Sequence, residues 1–131
     1  MIVLDSSAAV DFLLGLEPEA AWVAGHLAGH EGDVHAPHLI DVEVTAVIRR
    51  FVLERGLTAQ SGLQRIRAMA KFDIRRYPHA QLVERVWELR RSVSPPDGFF
   101  VALAEALDVP LVTTDRRLAR AHGPRIPILA P

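Results

Sequence analysis

Apolar positions along the chain switch between short unbroken runs and helical spacings. Ile2-Val3-Leu4 is an apolar run ending at Asp5, which predicts a buried strand. Ser6 or Ser7 caps a helix through Leu14, with Gly15 and Pro18 as punctuation, and a second helix runs from Glu19 to about Gly29. After a turn at Gly32-Asp33, Val34-His35-Ala36 forms a short strand before Pro37. Leu39 to Arg55 carries Ile40, Val44, Val47, Ile48 and Phe51 on one face, and Gly56 stops it. Thr58 opens a helix through about Lys71 on Leu63, Ile66 and Met69, followed by a strand candidate at Phe72-Asp73-Ile74. His79 to Arg91 is helical on Leu82, Val86 and Leu89, and Asp97 to Leu107 is an apolar helix. Leu111-Val112-Thr113 reads as a strand, Arg116 to His122 as a short helix and Ile126 to Leu129 as a last edge strand. Strands alternating with helices predict an α/β fold, here a helix-rich three-layer α/β/α sandwich around a short parallel sheet. With no repeats or linkers, residues 1–131 read as a single domain.

Composition narrows the class. At 131 residues, half of them apolar and 24% charged, the chain is globular, long enough to bury roughly 65% of the surface its unfolded form exposes. The absence of cysteine excludes a disulfide framework and thiolate zinc sites, and suits a reducing, cytoplasmic setting. No apolar run approaches the roughly 20 residues of a membrane span, and Met-Ile-Val-Leu-Asp5 does not read as a signal peptide. The net charge of -1 hides a segregation. Met1 to Ile48 holds eight acids and no Lys or Arg, whereas Arg49 to Ser92 holds eleven bases against four acids. Such asymmetry is a cue for polyanion or partner binding. Fourteen of the fifteen bases are Arg, the side chain that pairs phosphate bidentately, although a GC-rich genome also favours Arg over Lys.

Four acids occupy positions where this fold class gathers ligand groups. Asp5 ends the first strand and Asp115 follows Leu111-Val112-Thr113-Thr114. Ligands of doubly wound sheets bind beyond the carboxyl ends of strands at the switch point, so these two converge if their strands are neighbours. Asp97 opens the helix before the second of those strands, and Glu43 lies at the edge of the buried stripe set by Ile40 and Val47. Each acid has a plainer role available: Asp115 as a cap, Asp97 within a Ser94-Pro95-Pro96-Asp97 capping box, Asp5 in a turn and Glu43 snorkelling outward. Together they make a costly cluster unless a divalent cation neutralises it, and an all-oxygen donor set suits Mg²⁺ or Mn²⁺ rather than zinc.

With those residues in view, the chain resembles PIN-domain ribonucleases, and its compact length resembles the VapC toxins of bacterial toxin–antitoxin pairs. The likeness lies in Met-Ile-Val-Leu-Asp5-Ser6-Ser7-Ala8, in Glu43 within Ala36–Val44, in Pro96-Asp97-Gly98-Phe99-Phe100-Val101-Ala102-Leu103-Ala104, and in Pro110-Leu111-Val112-Thr113-Thr114-Asp115-Arg116-Arg117-Leu118-Ala119. The family's acidic quartet falls on Asp5, Glu43, Asp97 and Asp115. The resemblance implies a Mg²⁺- or Mn²⁺-dependent endoribonuclease that hydrolyses RNA phosphodiester bonds with metal-activated water. It implies a cognate antitoxin, and a homodimer within the toxin–antitoxin complex. Asp5 and Asp97 are the expected direct ligands, with Glu43 and Asp115 on a second ion, acting through water or serving as general base. Ser6, Thr113, Thr114 and Arg116 are expected to support the ligands or contact phosphate. One departure is local: the family often has an aromatic before the third acid and Ala after it, where this chain has Pro96 and Gly98.

Other features are weighed against plainer readings. His26 and His30, with His35 and His38 following, have zinc-like spacing but lack the Glu of a His-Glu-x-x-His motif. Phe99, Phe100, Val101 and Leu103 read as core rather than a base-stacking strip, while Trp22 and Trp87 fit either packing or a partner contact. Arg116 and Arg117 stand out among four Arg pairs because they follow a proposed catalytic acid. The alternative function is a PIN-like adaptor that binds RNA or protein without cleaving. A phosphatase or receiver domain fits less well: no Asp-x-Asp follows the first strand, and Lys71 is the only Lys.

Overall fold

The computed structural model describes residues Met1–Pro131. Five strands, β1 (Ile2–Leu4), β2 (Val34–Pro37), β3 (Ile74–Tyr77), β4 (Leu111–Val112) and β5 (Ile128–Leu129), form one sheet in the order β3-β2-β1-β4-β5, with every neighbouring pair parallel. Parallel neighbours require crossovers, and helices supply most of them. These are α1 (Ser6–Leu14), α2 (Glu19–Ala28), α3 (Leu39–Glu54), α4 (Ala59–Lys71), α5 (Val83–Glu88), α6 (Pro95–Leu107) and the single-turn α7 (Arg116–Ala119). The chain steps outward from β1 to β3 and then returns past β1 to β4, so right-handed crossovers place α1–α4 on one face and α5–α6 on the other. The expected α/β/α sandwich is what the chain forms. No helix is long and apolar enough to cross a membrane.

Both sheet faces are covered, which is why β1 is apolar throughout: Ile2, Val3 and Leu4 are all buried. Ala8, Ala9 and Leu13 of α1, Ile40, Val44 and Ile48 of α3, and Phe100, Val101 and Leu103 of α6 share one core with the sheet. The switch point of strand order lies between β1 and β4, with Leu4 opposite Val112.

Several sequence-based boundaries shift for identifiable reasons. The strand expected at Phe72-Asp73-Ile74 is instead Ile74–Tyr77, because its alternating Arg75, Arg76 and Tyr77 give no apolar run. Those residues find partners across the structure: Arg76 is bidentate with Asp41 at 2.6 and 2.9 Å, and Tyr77 Oη lies 2.7 Å from His35 Nδ1. The helix expected over His79–Arg91 is a 3₁₀ turn at Ala80–Leu82 followed by the shorter α5. Leu63, assigned to the buried face of α4, is 46% exposed. Gly62 packs there instead, where an added Cβ would stand 2.9 Å from Val52 Cγ2 of α3. Gly98 has a similar reason: a Cβ on it would meet Val86 Cγ1 at 3.0 Å, so its lack of a side chain lets α5 approach α6.

A polar clamp ties these last two helices to the C-terminal loop. Arg85 donates to both Glu105 oxygens at 2.7 and 3.0 Å and to Gly123 O at 2.9 Å, and the Arg125 amide donates to Glu105 at 2.8 Å. Burial raises the Glu105 pKa, but the hydrogen bonds from Arg85 and the Arg125 amide, with the two guanidinium charges, outweigh it and hold the carboxyl below its ordinary value. A lowered folded-state pKa adds stability that is present above the unfolded value near 4.5 and is lost as pH falls through the folded value. Glu105→Gln therefore costs about 2 kcal/mol at neutral pH, because it removes the charged acceptor shared by Arg85 and the Arg125 amide and leaves Arg85 only Glu88 and Gly123 O. Urea titration reads this as a lower midpoint, and the gap to wild type closes in acid.

Candidate active site

The C-terminal ends of β1 and β4 build the site. Asp5 N donates to Val112 O at 2.9 Å, which fixes Asp5 at the mouth of the switch point. Asp5 itself occupies the N-cap position of α1 with extended backbone, so Ser6 and Ser7, expected there, fall in the first turn. The Asp5 side chain caps no amide. Only 2% of Asp5 is exposed, and its Oδ2 accepts from Ser7 Oγ and Thr113 Oγ1, each at 2.7 Å. Those hydroxyls in turn accept from the Thr114 amide at 3.1 Å and the Asp115 amide at 3.0 Å, which couples the β4 exit to the carboxylate. Asp5 Oδ1 is buried with no hydrogen-bond partner. A buried acceptor without a donor is expensive, and few survive in folded proteins without a use.

The other three acids link to this group in a chain: the Asp97 charge acts on Asp5, the Asp5 and Asp97 charges on Glu43, and the Asp115 charge on Asp97. Ser6 Oγ donates to Glu43 Oε1 at 3.0 Å from the first turn of α1. Ser94 is the N-cap of α6 and donates its hydroxyl to Asp97 Oδ2 at 3.1 Å rather than capping an amide. Asp115 is the N-cap of α7, with Oδ1 accepting from the Arg117 amide at 2.9 Å and the Arg117 guanidinium 3.5 Å away. Its capping role and its place at the site therefore coexist.

The electrostatics record the crowding. Burial pushes the Asp5 carboxyl above its ordinary pKa; the Ser7 and Thr113 hydroxyls offset part of this, and the Asp97 charge adds to it. Glu43 is raised by burial, offset by Ser6, and raised again by Asp5 and Asp97. Asp97 is raised by burial and by Asp115, against the lowering effects of Ser94 and Arg117. Carboxylates that mutually resist ionisation form a standing demand for positive charge.

No three His, Asp or Glu side chains already stand in position to share one ion. The donor chemistry nevertheless fits a hard divalent cation: the candidates are all oxygen donors, and Asp5 Oδ1 offers a pre-desolvated, unengaged ligand atom. Among the supporting residues, Ser6 and Thr113 touch the quartet directly, and Thr114 joins through its amide. The Arg116 guanidinium donates to Pro131 O at 3.1 Å, and Arg117, 93% exposed, is the cation beside Asp115. In sequence Ser7 reads only as a helix cap, although its place two residues after the strand-end acid is the signal for its bond to Asp5. The histidines with zinc-like spacing disperse, with His30 Nδ1 on His26 O and His35 between Tyr77 and Asp33. Phe100, Val101 and Leu103 are core, and Phe99 packs its ring on His79. Trp22 packs against the core, whereas Trp87 is 67% exposed beneath Arg90.

Two grooves meet at Asp115. One, of about 350 Å³, runs between α1 and α3 and is lined by Val10, Asp11, Leu16, Val47, Phe51 and Thr114. The other, of about 250 Å³, lies between the start of α6 and α7 and includes Ser94, Asp97 and Arg117.

Comparison with known proteins agrees with this architecture. A family model described as PIN domain matches residues 2–124. Ribonuclease VapC12 of Mycobacterium tuberculosis is 43% identical over 123 residues, covering 94% of this chain and 93% of its own. Among solved structures, Mycobacterium tuberculosis VapC20, described as a sarcin-ricin loop cleaving toxin, aligns with a TM-score of 0.70 at 15% identity, over 92% of this chain and 94% of its own. VapBC2 from Rickettsia felis, bound to a DNA fragment from its promoter, aligns at 0.70 with 13% identity, over 99% of this chain and 98% of the other. At these identities the structural matches speak to fold alone.

Proposed function

The chain belongs to the PIN-domain family, and from that premise we propose that it is a toxin endoribonuclease, dependent on Mg²⁺ or Mn²⁺ and restrained by a cognate antitoxin. The observation that carries the catalytic reading is the orphaned, buried Asp5 Oδ1 among three further carboxylates. An adaptor that merely bound RNA would carry the cost of that cluster with nothing in return. The ribonuclease name of the 43%-identical relative supports the same reading, and VapBC2 is the precedent for a partner.

Asp5, Glu43, Asp97 and Asp115 are the residues that would hold the cation. When bound, it supplies Lewis-acid polarisation of the scissile phosphate and increases the acidity of water. The protein's own part is positional. Ser7 and Thr113 lock Asp5 through Oδ2, so Oδ1 keeps one orientation. Ser6 holds Glu43 through Oε1, leaving Oε2 to take a proton from the attacking water. Ser94 steadies Asp97, and the exposed Arg117 places a positive charge beside Asp115 for an RNA phosphate.

Incubating purified protein with single-stranded RNA and Mn²⁺ gives internal cleavage that EDTA stops. RNA that is bound but left intact under every divalent ion would establish the adaptor instead. Thr113→Val, nearly isosteric at a fully buried position, removes a donor to Asp5 and the acceptor of the Asp115 amide. It lowers the cleavage rate about tenfold through loosened ligand geometry. It also costs about 2 kcal/mol in chemical denaturation through the stranded amide.

A further inference from the structure

We infer that the groove between α1 and α3 is a nucleobase subsite that selects guanine through the Asp11 carboxylate. The inference deepens the ribonuclease reading and rests on it for the RNA substrate.

The groove shares Asp115 with the acidic quartet, so a strand whose phosphate lies at the quartet can send a neighbouring base into it. At about 350 Å³ it is roomy enough for a purine. Val10, Leu16, Val47 and Phe51 supply apolar walls, and Leu16 is left 37% exposed at its edge. Unpaired bases are recognised by such surfaces and by contacts to their Watson–Crick edges. The Arg55 guanidinium lies 5.6 Å from the Phe51 ring centre, so a positive charge for backbone phosphate stands at that end.

Ser6, Ser7, Thr114 and Asp115 are polar at the end that meets the quartet, and Asp11 is the half-buried carboxyl on α1 that makes no ion pair. Burial pushes its pKa up; the Thr114 hydroxyl draws it down and Glu19 adds to the rise, so the group has room for further donors. An ionised carboxylate only accepts hydrogen bonds, through two oxygens. Guanine alone among the four bases presents two adjacent donors, N1–H and N2–H, on its Watson–Crick edge. Adenine and cytosine set a ring acceptor beside their amino group, and uracil flanks its single N–H with carbonyls. Each would point a lone pair at Asp11.

The test pairs a uridine-rich oligonucleotide containing one guanosine with its inosine counterpart, which lacks the N2 amino group. Wild type and Asp11→Asn are compared in kcat/KM with Mn²⁺ and in oligonucleotide binding by fluorescence anisotropy in EDTA. Wild type favours guanosine over inosine about tenfold, the usual worth of a hydrogen bond to a charged group, and Asp11→Asn erases that ratio. Cleavage by wild type with no guanosine preference overturns the subsite and leaves the ribonuclease reading standing. Asp11-dependent guanosine preference in binding, without cleavage of any RNA, upholds the subsite and overturns that reading. Neither cleavage nor discrimination overturns both. A preference that survives Asp11→Asn also overturns the assignment, and a simultaneous loss of affinity for purified cognate antitoxin would give the groove to a protein segment.

Discussion

Asp5→Asn cuts divalent-dependent RNA cleavage by orders of magnitude while making the metal-free protein more stable. The two effects share one cause. In the wild type, burial and the Asp97 charge hold the Asp5 carboxyl above its ordinary pKa, so the fold bears the ionised form at a cost at neutral pH. Asparagine keeps the shape and the acceptor for Ser7 and Thr113 but removes the charge. Stability rises by about 1–2 kcal/mol in EDTA, as is common where a strained functional group is neutralised. Activity falls about 10³-fold, equivalent to roughly 4 kcal/mol of transition-state stabilisation. The sign with pH follows from the raised folded-state pKa. Its cost is complete above that value and disappears as pH falls toward the unfolded 3.8, so the stability advantage of Asp5→Asn narrows in acid. Thermal melts across pH in EDTA and initial cleavage rates with Mn²⁺ read the two halves. Full activity in Asp5→Asn would remove the quartet from the mechanism, and a destabilised variant would show that the charge was already compensated.

Much of this was legible beforehand. The apolar run Ile2–Leu4 ending in Asp5 reads best as a buried strand with a terminal acid, and the convergence of Asp5 with Asp115 is expected once β1 and β4 are neighbours. The long stripe of α3 likewise fixed Glu43 at the edge of a buried face. Tertiary partners erased the local signal elsewhere. β3 is an edge strand in which Arg76 is paired with Asp41 of α3 and Arg75 lies over the Tyr77 ring, so it carries no apolar alternation. Gly62 and Gly98 do the packing that a pattern of large apolar residues cannot show. Arg116 and Arg117 are equivalent in sequence, and only the turn of α7 sends one to Pro131 and the other to Asp115. The acid-rich first third and Arg-rich middle also prove partly structural, since Asp41 and Arg76 are partners within the chain.

The rank order of stability between wild type and Asp5→Asn reverses when Mn²⁺ is added. In EDTA the variant melts higher, for the reason above. A ligand that binds only the folded state adds RT ln(1 + [L]/Kd), about 2.7 kcal/mol at a hundredfold excess over Kd. That gain exceeds the 1–2 kcal/mol advantage ascribed to neutralising Asp5. The wild type collects it through Asp5 Oδ1, an oxygen already desolvated and held by two hydroxyls, whereas the variant presents a neutral amide in its place. In the wild type a bound cation also relieves Glu43 of the Asp5 charge, and Asp5 of the Asp97 charge, that oppose their ionisation. Stabilisation by Mn²⁺ is therefore greater at neutral pH than in acid, where protonated carboxyls no longer require a cation. Melting curves of both proteins with EDTA, Ca²⁺, Mg²⁺ and Mn²⁺ make the comparison without any RNA present. Crossing curves place the cation on Asp5; parallel shifts in the two proteins would put it elsewhere, and no shift in either would leave the quartet without a metal to hold.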